Sequence, residues 1–353
     1  MILKNINRCK RVGLLILLVS FFVACSDDAP IEEMPLTTFQ FKETLSEYGF
    51  FSGNLKNLSP TDNVHKYELS TPLFSDYTLK DRFIYLPDNK TIGYKAAGIV
   101  DFPLGTIIIK NFSSLDDNDN PLRIETRLLV LDPFDSEWKV MAYLWNAQQT
   151  EATKLITGKN VSIKVKNDSG VSLTTNYRVP NTNDCKRCHV KNGVLTPIGP
   201  KIRAMNFKPQ GENETQLVKW SNQGILTGLP SSGVPVLPNW LDDTNFTLEE
   251  RARAYLDENC AHCHTQGGDA FNTGLFLEYE QTDTTKLGYF KTPVSAGPGA
   301  GNLNYDIVPG NADESIVLFR MNSTETGIAM PELARSLIHE EGVALIREWI
   351  NSL

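Results

Sequence analysis

Histidine, cysteine and methionine are scarce in this chain, at five, six and six in 353 residues. Where they stand is therefore informative. Positive charge is in deficit, 34 Lys and Arg against 42 Asp and Glu, which argues against a nucleic-acid partner. A bilayer-spanning run is missing as well: the apolar stretch Leu14 to Ala24 offers about eleven residues where a spanning helix needs about twenty. No long internal repeat is present, and no catalytic motif falls before residue 180.

What the N-terminus does have is a basic start (Lys4, Arg8, Lys10, Arg11), that short apolar run, and then Ala24-Cys25. This order is an export signal, and the small residue before Cys25 makes it resemble a bacterial lipoprotein signal. Cys25 is then expected to carry acyl chains and tether the chain to a cell membrane, at the periplasmic or outer-surface face. A plain secretory signal is the alternative. Loss of residues 1–25 removes four positive charges and no acids, taking the formal charge from -8 to -12. Residues 26–36, acidic and with two prolines, read as a tether.

Residues 37–180 read as an antiparallel β-rich domain, a sandwich or barrel-like sheet. Runs such as D-R-F-I-Y-L-P (81–87), G-T-I-I-I-K-N-F (105–112), R-I-E-T-R-L-L-V-L (123–131) and E-W-K-V-M-A-Y-L-W (137–145) are rich in β-branched and aromatic residues, and turn clusters separate them. Within 123–131, Ile124, Thr126, Leu128 and Val130 alternate with Arg123, Glu125 and Arg127, so the second set is expected to face solvent. A short helix is expected from Thr38 to Phe51. Residues 181–245 and 246–353 read as two further regions of loops and helices. In the last, the capping box Thr247-Leu-Glu-Glu250 opens a helix over 248–259, and 341–353 forms a second amphipathic helix presenting Val343, Ile346, Ile350 and Leu353. The fold class expected is thus α+β and multidomain, a β-rich domain followed by a helical region.

Once Cys9 and Cys25 are set aside, four cysteines remain, and all lie in two stretches: N-D-C-K-R-C-H, with Cys185, Cys188 and His189, and E-N-C-A-H-C-H, with Cys260, Cys263 and His264. Both are C-x-x-C-H, the signature of covalent c-type haem attachment. Two thiols at this spacing add to the two vinyl groups, and the next residue is placed to give its imidazole to the iron. Zinc competes, but five consecutive residues hardly wrap a tetrahedral ion, and the two pairs stand 75 positions apart, well beyond the usual ribbon spacing of about 15 to 20. A redox disulfide gives no reason for a histidine after each pair. His262 is then a polar spacer.

A low-spin haem also needs a sixth ligand, commonly methionine. For the second site the candidate is Met330 in A-M-P, where Pro331 restricts the backbone of the residue before it. Leading helix, attachment site, long loop, Met-Pro and closing helix match a small class I cytochrome c. Met321 is the rival, in a run that reads as a buried helix where methionine fills core. The first site is less complete: Met205 is the candidate, His65 and Met141 are the other donors, and an iron without a sixth ligand stays open. A strand rather than a helix is expected to lead into Cys185.

With those residues placed, the chain resembles a family of exported bacterial two-haem c-type cytochromes. The resemblance covers most of residues 45–353 and rests on T-P-L-F-S-D-Y (71–77), F-P-L-G-T-I (102–107), Y-L-W-N-A-Q-Q-T-E-A (143–152), Y-R-V-P-N-T-N-D-C-K-R-C-H (177–189), P-I-G-P-K (197–201), R-A-Y-L-D-E-N-C-A-H-C-H (253–264) and A-M-P (329–331). It implies two covalent haem c groups and iron ligation by His189, His264 and Met330, and it names no substrate. The function expected is electron transfer between partner proteins of the cell envelope. The alternative is a two-haem peroxidase or oxidase that reacts with a small ligand at the first haem; a third reading gives the β-rich domain a surface component to bind.

Overall fold

The computed structural model describes residues 38–353; Cys25 and the tether at 26–36 lie outside them. The β-branched runs form one six-stranded antiparallel sheet in chain order: β1 (Val64–Tyr67), β2 (Leu79–Tyr85), β3 (Ile107–Leu115), β4 (Pro121–Leu131), β5 (Trp138–Trp145) and β6 (Ala152–Leu155). A separate hairpin, β7 (Lys159–Lys166) and β8 (Ser172–Val179), pairs from Lys159 opposite Val179 to Lys166 opposite Ser172. The result is an antiparallel β-rich body with few helices. Among the described residues, no helix is long and apolar enough to cross a membrane.

One face of the sheet buries Phe83, Ile109, Leu128, Val130 and Tyr143 under Leu45, Phe50 and Phe51 from the segment that precedes β1. That segment is not the expected helix. Only Ser46–Tyr48 makes a 3-10 turn, because the edge of β6 offers unpaired backbone groups: Leu45 N–H donates to the Ala152 carbonyl at 2.9 Å, and Lys154 N–H to that of Glu43 at 2.9 Å. Extended chain satisfies an exposed sheet edge, which a helix cannot do.

The other face holds a second correction. Glu125 and Arg127 were expected in solvent, yet Glu125 is 0% exposed. Arg127 Nη2 meets Glu125 Oε1 at 2.6 Å, the Tyr177 hydroxyl donates to Glu125 Oε1 at 2.6 Å, and the Arg127 guanidinium lies 4.3 Å over the Phe112 ring. A charged face can be covered when its charges pair and stack in this way. A register shift between Phe112 and Ser113 also removes Ile124 from its expected side: it joins the cluster of Phe112, Ile163, Val165 and Tyr177.

The cover comes from the C-terminal half, whose helices are α1 (Thr182–His189), α2 (Ile202–Met205), α3 (Gln216–Asn222), α4 (Leu248–Asn259), α5 (Ile316–Met321) and α6 (Glu340–Ser352). Ile202, Met205, Leu217 and Trp220 share one apolar core with Tyr67, Ile84, Ile108 and Leu129 of the sheet. A second core gathers Ala252, Tyr255 and Leu256 of α4 with Val343, Ile346, Trp349 and Ile350 of α6. The capping box at Thr247 forms as expected: its hydroxyl accepts from Glu250 N–H at 3.3 Å, and Glu250 Oε2 accepts from Thr247 N–H at 2.9 Å. Leu353, expected on the buried face of α6, is 38% exposed.

Two devices lock these parts together. Lys201 and Arg203 reach the buried Asp257 of α4 at 2.9 and 2.7 Å, and the loop 71–77 binds the far end of the chain, Asp76 Oδ1 accepting from Ser336 and Leu337 N–H at 2.7 and 2.8 Å. His339, just before α6, sits in an aromatic box: its ring stacks on Phe74 at 4.2 Å, faces Tyr77 and Trp240, and its Nδ1 meets the Tyr255 hydroxyl at 2.9 Å. Burial pushes its pKa down to about 4; Glu341 opposes the shift and Lys80 adds to it.

Two outcomes are expected. A Cβ on Gly342 would lie 2.2 Å from the Tyr255 hydroxyl, so Gly342→Ala should lose on the order of 1 to 3 kcal/mol to overpacking, outweighing the roughly 1 kcal/mol that alanine gains in helix propensity. Urea unfolding measures this, and a more stable variant would disprove the helix contact. The second concerns acid. His339 has a folded pKa below its unfolded value, so between about pH 6.5 and 4 the unfolded chain binds more protons and stability falls as pH falls. The stability advantage of the native chain over His339→Gln should shrink across that window, and a gap independent of pH would count against the buried neutral ring.

Candidate functional site

The two C-x-x-C-H segments are both turned into place by helix termini. The first is not led in by a strand alone. Asn181 caps α1 in a capping box with Asp184, Asn181 Oδ1 accepting from Asp184 N–H at 2.9 Å and Asp184 Oδ2 from Asn181 N–H at 3.1 Å, so Cys185, Cys188 and His189 all lie on one helix. In the second, the backbone continues from α4: Cys260 N–H donates to the Leu256 carbonyl, and His264 N–H to that of Cys260, both at 2.9 Å.

Although 75 residues apart, the segments touch. Asn192 N–H donates to the Gly267 carbonyl at 2.8 Å, and position 267 favours glycine, with φ +78° and a Cβ position that faces the Asn192 side chain. Cys263 Sγ approaches the Arg187 carbonyl at 3.8 Å. Donor atoms of Cys188, His262 and Cys263 lie within 4.8 Å of one another.

Two adjoining cavities open from this junction. The first lies on the covered face of the sheet: Cys185, Cys188 and His189 form one side, Ile108, Lys110, Arg127 and Leu129 the floor, and Tyr255, Asn259 and Cys260 the far wall. The second is lined by Cys260, Cys263, His264, Leu275, Met321 and Met330. Cys188, Cys260, His262, Met321 and Met330 belong to both.

Each motif histidine is half-buried and neutral. His189 Nδ1 lies 3.0 Å from the Thr196 carbonyl, a contact that needs the proton on Nδ1 and leaves the Nε2 lone pair free to ligate. Burial pushes its pKa down to about 3 against that hydrogen bond. Burial likewise takes His264 to about 4. The Leu275 carbonyl is a neighbour of His264, but Nδ1 makes no hydrogen bond of full geometry. Among the thiols, burial raises Cys185 to about 11 and Cys260 to about 12. At the junction, the neighbouring Cys263 and His262 hold the Cys188 thiol below its ordinary value, and the same contact drives Cys263 up.

The remaining donors divide. Met330 lines both cavities, in a loop held by its N–H to the Arg320 carbonyl at 3.0 Å. Met321 is 7% exposed and packs in the α4–α6 core, as expected for filler, yet it also reaches both cavity walls. Met205 is not brought to the first cavity. It is 0% exposed and packs with Ile202, Leu217 and Trp220, because α2 turns its apolar side onto the sheet. Met141 faces the opposite core, and His65 lines neither cavity.

The donor set fits one flat macrocycle per cavity, joined through a thiol pair and faced by a neutral imidazole. It also fits a single ion held by Cys188, His262 and Cys263, the arrangement that sequence spacing disfavoured. Sequence reasoning missed the junction itself, the capping box N-T-N-D, which its spacing could have disclosed, and the cations on the cavity floor. No protein-family model matches the chain, and neither a curated protein nor a solved structure does.

Proposed function

We propose that the chain is a membrane-tethered envelope cytochrome carrying two covalent haem c groups, which passes electrons between partner proteins. The observation behind this reading is that two C-x-x-C-H segments, remote in sequence, meet at the shared wall of two cavities, each with its own half-buried neutral histidine. Haem supplies a reversible one-electron iron couple. The chain's part is to fix the thiols for attachment, hold Nε2 of His189 and His264 toward iron, and keep water away with Leu129, Ile108, Leu275 and Met321. Met330 is the sixth ligand assigned to the second site. On this reading residues 246–353 are a small class I cytochrome c-like region, for which α4 running into Cys260 and its crossing with α6 speak. Cys25 would tether the chain through lipid.

One observation favours a second reading at the first site. Met205 is withheld from its cavity, and the methionines that do line it are shared with the second. With His189 offering one ligand and no methionine of its own, this cavity would leave room for a small ligand, as a peroxidase or oxidase needs.

Chain matured in a host that attaches c-type haem should hold two haems that resist acid-acetone extraction. In the reduced protein, carbon monoxide should shift one haem only, and Cys185→Ala with Cys188→Ala should abolish that shift. Met330→Ala should open the other. No response to carbon monoxide would exclude the second reading; zinc in place of iron, with no covalent haem, would exclude both.

A further inference from the structure

The floor of the first cavity carries a row of positive charge that the site described so far does not use. In the antiparallel register Arg82 of β2 stands opposite Lys110 of β3, and Lys110 opposite Arg127 of β4. All three line the cavity together with Cys185, Cys188 and His189. Like charges directly opposed on one sheet face are destabilising, so the row calls for compensation. Arg127 has it, from Glu125 at 2.6 Å. Among the described residues, no carboxylate lies within ion-pairing distance, 4.0 Å, of Arg82 or Lys110.

The nearby acids are engaged elsewhere. Asp81 holds Arg123 at 2.7 Å and Glu68 holds Lys66 at 3.4 Å; Glu258, whose charge bears on Arg82, has its one ion pair among the described residues with Lys201 at 3.5 Å and makes no hydrogen bond. Arg82 is 6% exposed, and its Nη2 is buried without a hydrogen-bond partner. An unsatisfied buried guanidinium nitrogen is costly unless something fills the space before it. The other arginines of the wall are occupied: Arg178 pairs with Asp184 at 3.3 Å, and Arg335 donates to the carbonyls of Ser323, Leu337 and Arg320.

We propose that Arg82 and Lys110 bind the two carboxylates of the group that fills the first cavity, which on the reading given above are the propionates of the first haem. The proposal rests on that reading, and charge and direction both support it. Two unmatched cations face a ligand with two carboxylates. The thiols mark the opposite edge: Cys185 feels the charge of Arg127, while strand spacing of about 4.8 Å sets Lys110 one strand and Arg82 two strands further along the floor. Burial and the neighbouring cations hold the Lys110 pKa well below its ordinary value, and a carboxylate at this position would restore its charge.

The test uses the matured full chain with Arg82→Gln and Lys110→Gln together, and Lys90→Gln as an exposed control. Covalent haem per chain and the midpoint potential of each haem are read, the first haem being the one absent from the Cys185→Ala, Cys188→Ala variant. Two haems should remain in every case, with the midpoint of the first moved lower in the double variant and unmoved in the control, because lost positive charge disfavours the reduced iron. If both haems attach and the first midpoint stays put, the proposal is overturned and the haem reading survives; if the native chain takes up no covalent haem, that reading itself falls. A native first haem whose midpoint responds to added formate would assign the cations to a free anion and overturn the proposal. Should the double variant not accumulate, Arg82→Gln and Lys110→Gln singly must each lower the same midpoint, and a midpoint unchanged in either one refutes it.

Discussion

The constraint on which this structure turns is the burial of a charged sheet face. A six-stranded antiparallel meander ordinarily keeps one face in water, and the residues Lys80, Arg82, Lys110, Glu125 and Arg127 would suit that arrangement. Here the C-terminal half lies over them. Covering such a face is tolerable only where each charge meets a partner or a polar space, and the sheet divides accordingly. Around Glu125, Arg127 and Tyr177 the charges close on one another and the hairpin β7–β8 packs directly. Around Arg82 and Lys110 they do not, and there the cover stands off to leave a cavity.

The cover is held at a distance by specific ties rather than by apolar area alone. Asp257 is fully buried, and Lys201 and Arg203 together hold its pKa at about 2 against the cost of burial. It fastens α4 to the turn that starts α2. Asp76 and Tyr77, in the loop before β2, fasten the segment that leads into α6, the Tyr77 hydroxyl meeting Glu341 at 2.6 Å. These ties join chain segments more than 50 and more than 250 residues apart in sequence. They fix how far α4 and α6 stand above the sheet and so set the height of the first cavity.

Much of the local structure was legible because it depends on short-range signals. Strands β2 to β5 follow from runs rich in β-branched and aromatic residues, α4 from its capping box, α6 from its period. Reading failed where a distant segment changed the answer. The stretch before β1 has residues compatible with a helix, but an open sheet edge took its backbone. Arg123, Glu125 and Arg127 alternate as an exposed face should, and nothing within 123–131 discloses that residues from 159 onward will lie on that face. Met205 fell in the same way: as the one methionine between His189 and Cys260 it was the candidate, and the packing of α2 sent it into the core. The motif cysteines and histidines could be named from spacing, while their meeting at Cys188, His262 and Cys263 could not.

That junction limits how independent the two cavities can be. Met330 and its neighbours lie in a loop without regular secondary structure, so its position depends on side chains that grip it. Arg335 donates to four carbonyls of the surrounding turns, and Arg187 of α1 reaches Glu332 at 2.8 Å. The second of these contacts runs from the helix bearing the first motif to the loop bearing Met330. Because Cys188, Cys260, His262, Met321 and Met330 all face both cavities, a displacement of this loop reshapes both walls together. Two sites built on separate scaffolds could be tuned one at a time; these two share a wall, and a change made for either is felt by the other.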